Sequence, residues 1–308
     1  MPPKSVFVSY SHRQGDWVWD RLVPALAAGG AKVLFDRGEF AAGRPLVGQM
    51  DQTQDAADLS VLVLSEDYLK SPHCRHELDR AIARNPTLEK GLVIPVLRRA
   101  CKLPRKLAAA FWVDLTDDKD PAPWDLLMKG CGCDLGTDVP GWLKARDEVR
   151  RYLGRKQSVN LVVLGKKVAW RALIEQLARP IEPAKGVPGL AVVKLDDPAT
   201  KTRAGLVAAI VRALGGSCPA PARGDELAEL KRFLEARRVS RLALTEFDLV
   251  PRRSQYDANL SAALRYLVMD LRRLVLLIQS RGPLAQLLPD GHLLSELVVQ
   301  TVELRARP

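Results

Sequence analysis

Aromatic side chains make up only 6% of the 308 residues, and the 5 cysteines are odd in number and scattered. That cysteine pattern excludes the paired framework that staples small secreted domains. Cys131 and Cys133 form a lone C-x-C pair with no second pair at zinc-ligand spacing, so no metal site is expected. No apolar run approaches the roughly 18 residues that span a bilayer. The opening MPPKSVFVSYS passes almost directly into a strand pattern, leaving no room for a signal peptide. A cytoplasmic protein without membrane contact is expected. The net charge of +11 raises the question of nucleic acid. Its basic residues are spread along the chain, often as RR or KK pairs, and no base-reading motif or aromatic stacking set accompanies them. A solvated basic surface is the expectation, with contact to some anionic partner left open.

What is present is ordinary for a soluble globular chain, with 47% hydrophobic and 27% charged residues. The length suggests two domains, each able to bury a core. The first is organised around LSVLVLSEDYLKSPHCRHELDRAI, residues 59–82. Val61 to Leu64 reads as a strand buried on both faces. A helix is expected from about Pro72, since proline suits a first helical turn. Cys74, Leu78 and Ile82 share one face of it by spacing. Glu77 lies beside that stripe, and by spacing alone it reads as a solvated carboxylate.

Elsewhere in this half, strands are expected at Val6 to Ser9, Lys32 to Phe35, Leu92 to Leu97 and Phe111 to Leu115. Asp16 is placed as the N-cap of a helix running to about Ala28, and a second helix runs from Leu46 to about Ala57. Strands alternating with helices predict an α/β fold with a parallel sheet. Ligands bind such sheets beyond the carboxyl ends of the strands. Ser9 to Arg13, Asp36 to Arg44 and Ser65 to Glu77 would share that edge.

Three segments, VFVSYSH, VLFDRGEFAAGRPL and LSVLVLSEDYLKSPHCRHEL, stand in the order and spacing of a Toll/interleukin-1 receptor (TIR) domain, which residues 4–135 resemble. The resemblance implies a flavodoxin-like sheet. Many bacterial and plant members cleave NAD at the nicotinamide–ribose bond, through a glutamate on the helix after the third strand. Glu77 occupies that position. By the same resemblance Tyr10, Ser11 and His12 line the nucleotide pocket. Asp36, Arg37, Gly43 and Arg44 belong to a loop that completes it between neighbouring copies. NAD would be the substrate, with no further cofactor. Family members often carry tryptophan at the place of His73, in a W-C-x-x-E arrangement, so packing at the pocket mouth differs here. His73 and His76 are expected to be ordinary polar helix positions.

The chemistry stands on its own terms. Nicotinamide leaves as a neutral molecule, so the difficulty is the oxocarbenium-like charge on the ribose. One carboxylate beside that carbon stabilises it and holds the ribose hydroxyls.

From Leu115 the composition turns to Asp, Pro and Gly, marking the end of the first domain. The expected division is 1–138 for the TIR domain, 139–156 for a linker helix and 157–308 for a second α/β domain. There, Val159 to Leu164 leads into Gly165. Counting G-x-x-x-x-G-K-[ST] from Gly165 places Trp170, Arg171 and Ala172 where a P-loop needs glycine, lysine and a hydroxyl. The following elements keep the P-loop order: strands at Leu190 to Lys194, Arg241 to Phe247, Arg273 to Gln279 and Leu297 to Leu304, with helices at Thr200 to Leu214, Glu226 to Ala236 and Tyr256 to Met269. Residues 155–308 thus resemble the core of STAND and AAA-type ATPases with the catalytic motifs erased. Glu246 and Asp248 are read as remnants or surface acids, and ATPase activity is not expected. The whole reads as an NAD-cleaving immunity or conflict effector of bacterial type, activated by self-association or by a protein partner of the second domain. The alternative is a non-catalytic TIR adaptor that only makes homotypic contacts.

Overall fold

The structure is a computed structural model that describes residues 4–35, 46–107, 110–179, 189–217, 226–298 and 300–307. The chain divides into two units, Met1–Leu143 and Lys144–Pro308. The division falls within a helix, Val139–Gly154, that covers most of the expected linker.

In the first unit, β1 (Ser5–Tyr10), β2 (Lys32–Leu34), β3 (Leu59–Leu64), β4 (Val93–Leu97) and β5 (Val113–Asp114) form one sheet in the order β2-β1-β3-β4-β5. Every recorded pairing in it is parallel. A parallel sheet must be covered on both faces, and β3 at its centre is buried at all six positions. The order is flavodoxin-like, and the direction of winding reverses between β1 and β3. Beneath this sheet, Leu62 and Leu64 pack with Tyr68, Cys74, Leu78 and Ala81, while Ile82 packs at the margin. The expected apolar face of the Glu77 helix therefore exists as read.

Two expectations in this unit need correction. Residues 12–28 are helical throughout, so Asp16 lies inside the helix and does not cap it. Ser11 is still extended, and the Gln14 N–H reaches its carbonyl at 2.7 Å, so the helical stretch starts earlier than expected, with Ser11 and not Asp16 as its cap. A wide turn at Val18–Leu22 directly precedes Pro24, which has no N–H to give to a regular ladder. The strand expected from Phe111 shortens to Val113–Asp114, because Phe111 is 75% exposed and only Val113 of that pair reaches the core.

The second unit is again wholly parallel: β6 (Val159–Leu164), β7 (Ala191–Lys194), β8 (Ser240–Thr245), β9 (Leu274–Ser280) and β10 (Gln300–Arg305), in the order β10-β6-β9-β8-β7. All seven residues of β9 are buried. Helices Arg203–Ala213, Glu226–Glu235 and Ala258–Arg265 bring Ile210, Leu234 and Leu264 against Leu244 and Leu276. The helix expected from Tyr256 begins at Ala258, because Asp257 accepts the Leu260 N–H at 2.9 Å and caps it. The strand expected from Leu297 begins at Gln300. A 3-10 turn occupies Leu293–Leu297 instead, with Leu294 and Leu297 buried.

Leu62 is fully buried at the centre of the first sheet. Leu62→Ala is expected to destabilise the first unit by about 2–5 kcal/mol. The reading is a lower denaturant midpoint for its transition at unchanged slope. A shift worth under about 1 kcal/mol would mean that the neighbours collapse into the space.

Candidate functional site

The site forms where β1 and β3 diverge. Ser9 pairs in register with Leu62, and Tyr10 with Val63, so the chain leaves β1 beside the end of β3. Ser65 then caps the short helix Glu66–Lys70 by accepting the Tyr68 N–H at 3.1 Å. Ser71 faces the Cys74 N–H at 3.4 Å and opens the helix Pro72–Arg84, with Pro72 in its first turn. These two caps fix where Tyr68 and Glu77 stand. The Cys74 thiol lies 3.6 Å from the Tyr10 carbonyl, which brings this helix against the end of β1.

Glu77 is not the solvated carboxylate that spacing suggested; it is 5% exposed. Ser9 Oγ donates to its Oε2 at 2.5 Å, and Tyr68 Oη lies 2.7 Å from the same Ser9 Oγ. The serine has one proton, which goes to the carboxylate, so Tyr68 is the donor to Ser9. The result is a buried line, Tyr68 O–H to Ser9 O–H to Glu77. Burial pushes the Tyr68 phenol well above its usual value of 10.0, which keeps that proton in place. Gln54 Nε2 also donates to the Glu77 backbone carbonyl at 2.8 Å.

The outer side of the same helix carries a different arrangement. His76 Nε2 and Arg80 each lie 2.9 Å from an oxygen of Asp51, and Arg80 also binds Asp55. The Arg80 hydrogen bond holds the Asp55 carboxyl below the usual range. These exposed pairs orient the helix and contribute little energy each. His73 is exposed, and among the described residues no group of three or more His, Cys, Asp or Glu side chains could hold a metal ion. Burial pushes the Cys131 thiol up to about 12 and also raises Cys133, which leaves that pair as unreactive thiols.

Of the residues expected beside Glu77, Tyr10 is half-buried and its hydroxyl accepts from Trp19 Nε1 at 2.9 Å. Ser11 is buried, whereas His12 is exposed with its ring edge-on to Tyr10 at 6.4 Å. Asp36, Arg37, Gly43 and Arg44 lie outside the described residues. Trp19 stacks on Phe35 with ring centroids 4.4 Å apart, so aromatic surface adjoins Tyr10. Sequence reasoning put Ser9 and Tyr68 within the segments at that edge but gave them no role, and it missed Trp19. A signal for Ser9 existed, because a polar side chain within the buried stretch of a strand has to find a partner.

In the second unit, the segment after β6 is filled by the protein's own side chains. Trp170 is 8% exposed, and the Arg171 guanidinium lies over its ring at 4.5 Å. The same arginine pairs with Glu246 at 2.7 Å. Glu246, expected to be a remnant or surface acid, is thus in an ion pair just past β8. The Asp248 carboxylate accepts the Arg281 N–H at 3.0 Å.

Residues 6–128 match the family model described as "TIR domain". The match covers less than half of the chain, and the TIR expectation holds for that stretch. Solved structures with similar folds include the TIR domain of the Toll-related receptor TRR-2 from Hydra magnipapillata, at 23% identity and TM-score 0.37, covering 41% of this chain and 97% of that one. A prokaryotic SEFIR domain follows at 18% identity and TM-score 0.34, covering 42% and 98%. A Drosophila ORC structure, bound to AT-rich DNA and Cdc6, aligns at 16% identity and TM-score 0.33, covering 52% and 55%. With TM-scores below 0.5, these likenesses carry no weight. No curated protein matches.

Two variants separate the parts of the buried line. Ser9→Ala removes the donor to Glu77 and is expected to destabilise by about 1–3 kcal/mol, whereas Tyr68→Phe should cost about 0.5–1.5 kcal/mol. The reverse order by denaturant titration would overturn the donor assignment. Because the folded phenol titrates above its unfolded value of 10.0, its contribution is complete below that pH and is lost as pH rises through the folded value. Tyr68→Phe is therefore expected to flatten the loss of stability above about pH 10, measured against the parent chain.

Proposed function

We propose that the first unit cleaves NAD at the nicotinamide–ribose bond, with Glu77 as the catalytic carboxylate. The observation that carries this reading is the placement of Glu77. Its carboxylate stands at the β1/β3 divergence, the ligand-binding position of doubly wound sheets, with Ser9 donating to one oxygen. A carboxylate fixed by a hydroxyl needs no reorganisation when positive charge develops on the ribose. Once the site opens, this carboxylate would face the ribose hydroxyls and the anomeric carbon. Tyr10, Ser11 and His12 would border the nucleotide. Asp36, Arg37, Gly43 and Arg44 would complete the pocket from a neighbouring copy, with the arginines on the pyrophosphate. NAD is the substrate, and no resident cofactor is invoked.

Assembly is the natural control for such a site. Glu77 is only 5% exposed in the single chain, so productive binding would require the pocket to be opened and completed by self-association. The second unit would be a P-loop relative without ATPase activity, in which the Arg171–Glu246 pair holds the place of a phosphate cradle. It would dock a protein partner or organise copies of the chain, and the whole would serve as a conflict effector. The same low exposure of Glu77 favours a second reading, a homotypic adaptor that never admits substrate.

Concentrated full-length protein incubated with NAD decides between them, with nicotinamide and the ribosyl product followed by chromatography. The expected result is release that falls by about 100-fold or more in Glu77→Gln. Activity per molecule should also fall on dilution, as mass action on an assembly requires. Equal release by Glu77→Gln would remove the catalytic assignment. Silence of the parent chain at high concentration, together with concentration-dependent association, would support the adaptor. The chain should release no phosphate from ATP.

A further inference from the structure

The second unit holds a cavity of about 670 Å³ at the edge of the sheet opposite the Arg171–Glu246 pair. Ser158 precedes β6, Leu274 opens β9 and Gln300 opens β10, and all three line it, so the cavity lies at the amino ends of the strands. Its volume falls in the range of small-ligand pockets, roughly 300–1,000 Å³. Half-buried Val239 and exposed Met269 present apolar surface to it, over a floor of buried Val268, Leu274 and Leu297. Arg155, Lys156 and Arg272 also line it and are exposed. Among the described residues no acidic side chain and no aromatic ring lines the cavity. Among the described residues, none of its three cations is in an ion pair.

Backbone geometry singles out two of these cations. Lys156 and Arg272 have φ of 58° and 52°, two of only four non-glycine residues with positive φ among those described. Each follows a helical end. The Lys156 N–H reaches the Leu153 carbonyl at 3.1 Å, and the Arg273 N–H reaches that of Leu267 at 3.1 Å. Glycine ordinarily takes such a position. Cations are favourable at helix C-termini, each of which carries about half a negative charge. Two such ends do not cancel three full positive charges, so the mouth stays cationic.

We propose that this cavity binds a single-chain amphiphilic anion, an aliphatic chain on Val239 and Met269 with a carboxylate or phosphate-monoester head held by Arg155, Lys156 and Arg272. The aliphatic lining offers no ring on which a nucleobase could stack. A concave cavity with cations at its exposed side fits one free chain rather than a bilayer surface. The inference is independent of the role of Glu77.

The test is calorimetric titration of the full chain with decanoate and with decyl phosphate, both below micelle formation. Decyltrimethylammonium, inorganic phosphate, AMP and anionic phospholipid vesicles form the comparison arms. Both decyl anions should bind, and every comparison ligand at least tenfold more weakly. The triple variant Arg155→Gln, Lys156→Gly, Arg272→Gly should lose at least tenfold in affinity. Because glycine relieves both positive-φ positions, that variant should melt no lower than the parent, which separates lost binding from lost folding. Val239→Trp, which fills the cavity and leaves the cations in place, should also weaken both decyl anions tenfold. Failure of the parent to bind either anion overturns the proposal, as does equal binding of the decyl cation. So does inorganic phosphate or AMP binding as tightly as decyl phosphate, or vesicles binding where the free anions do not. Undiminished affinity in the triple variant or in Val239→Trp would overturn it as well.

Discussion

A strand in a parallel sheet is returned to its neighbour only by a crossover, and the crossovers cover both faces of the sheet. In this chain that constraint acts twice, on β3 in the first unit and on β9 in the second, each buried along its whole length. With the faces sealed, polar chemistry is left to the ends of the strands. The carboxyl ends receive loops and helix N-termini, and the amino ends receive helix C-termini. Both candidate sites follow from that division: Glu77 near the carboxyl ends of β1 and β3, and the cationic cavity at the amino ends of β6, β9 and β10.

Ser9 is where the constraint becomes chemistry. It lies next to the end of β1, 1% exposed, and can satisfy its hydroxyl only through side chains arriving from the next layer. Tyr68 and Glu77 come from two successive helices, each opened by a serine at its N-terminus. A buried polar group left unmet costs more than its hydrogen bond would contribute, so the three side chains hold one another in a single arrangement. The carboxylate is therefore oriented by folding itself, before any substrate arrives. Under the proposed reaction, this preorganisation would serve a transition state whose charge appears only briefly.

The fold was largely legible in the sequence because buried parallel strands announce themselves as short apolar runs. Val61 to Leu64, Val159 to Leu164 and the run about Leu276 all became central strands. Element starts were less legible. Asp16 and Tyr256 looked like helix beginnings, but the Ser11 carbonyl and the Asp257 side chain captured the first N–H groups instead. The site was legible in position and not in state. The spacing put Glu77 beside the apolar stripe, yet whether a carboxylate at that angle is wet or buried depends on what faces it. The facing group, Ser9, is 68 residues away in the chain, and no local period reports it.

The second unit shows what remains when one edge of such a sheet is closed. Gly165 still turns the chain after β6 with φ of 130°, but a side chain there would meet Ala306 at 2.5 Å, so the glycine serves close packing against the end of β10. Trp170 covers the next turn and Arg171 spends its charge on Glu246. The cation and the acid that a phosphate site would direct at its ligand are thus satisfied by each other. The exposed positive charge of the unit includes Lys166 and Lys167 after β6, and Arg155, Lys156 and Arg272 at the other ends of the strands, beside Val239 and Met269. On physical grounds, the edge that joins exposed cations to an open cavity of about 670 Å³ is the better placed of the two to hold an anion with an apolar tail.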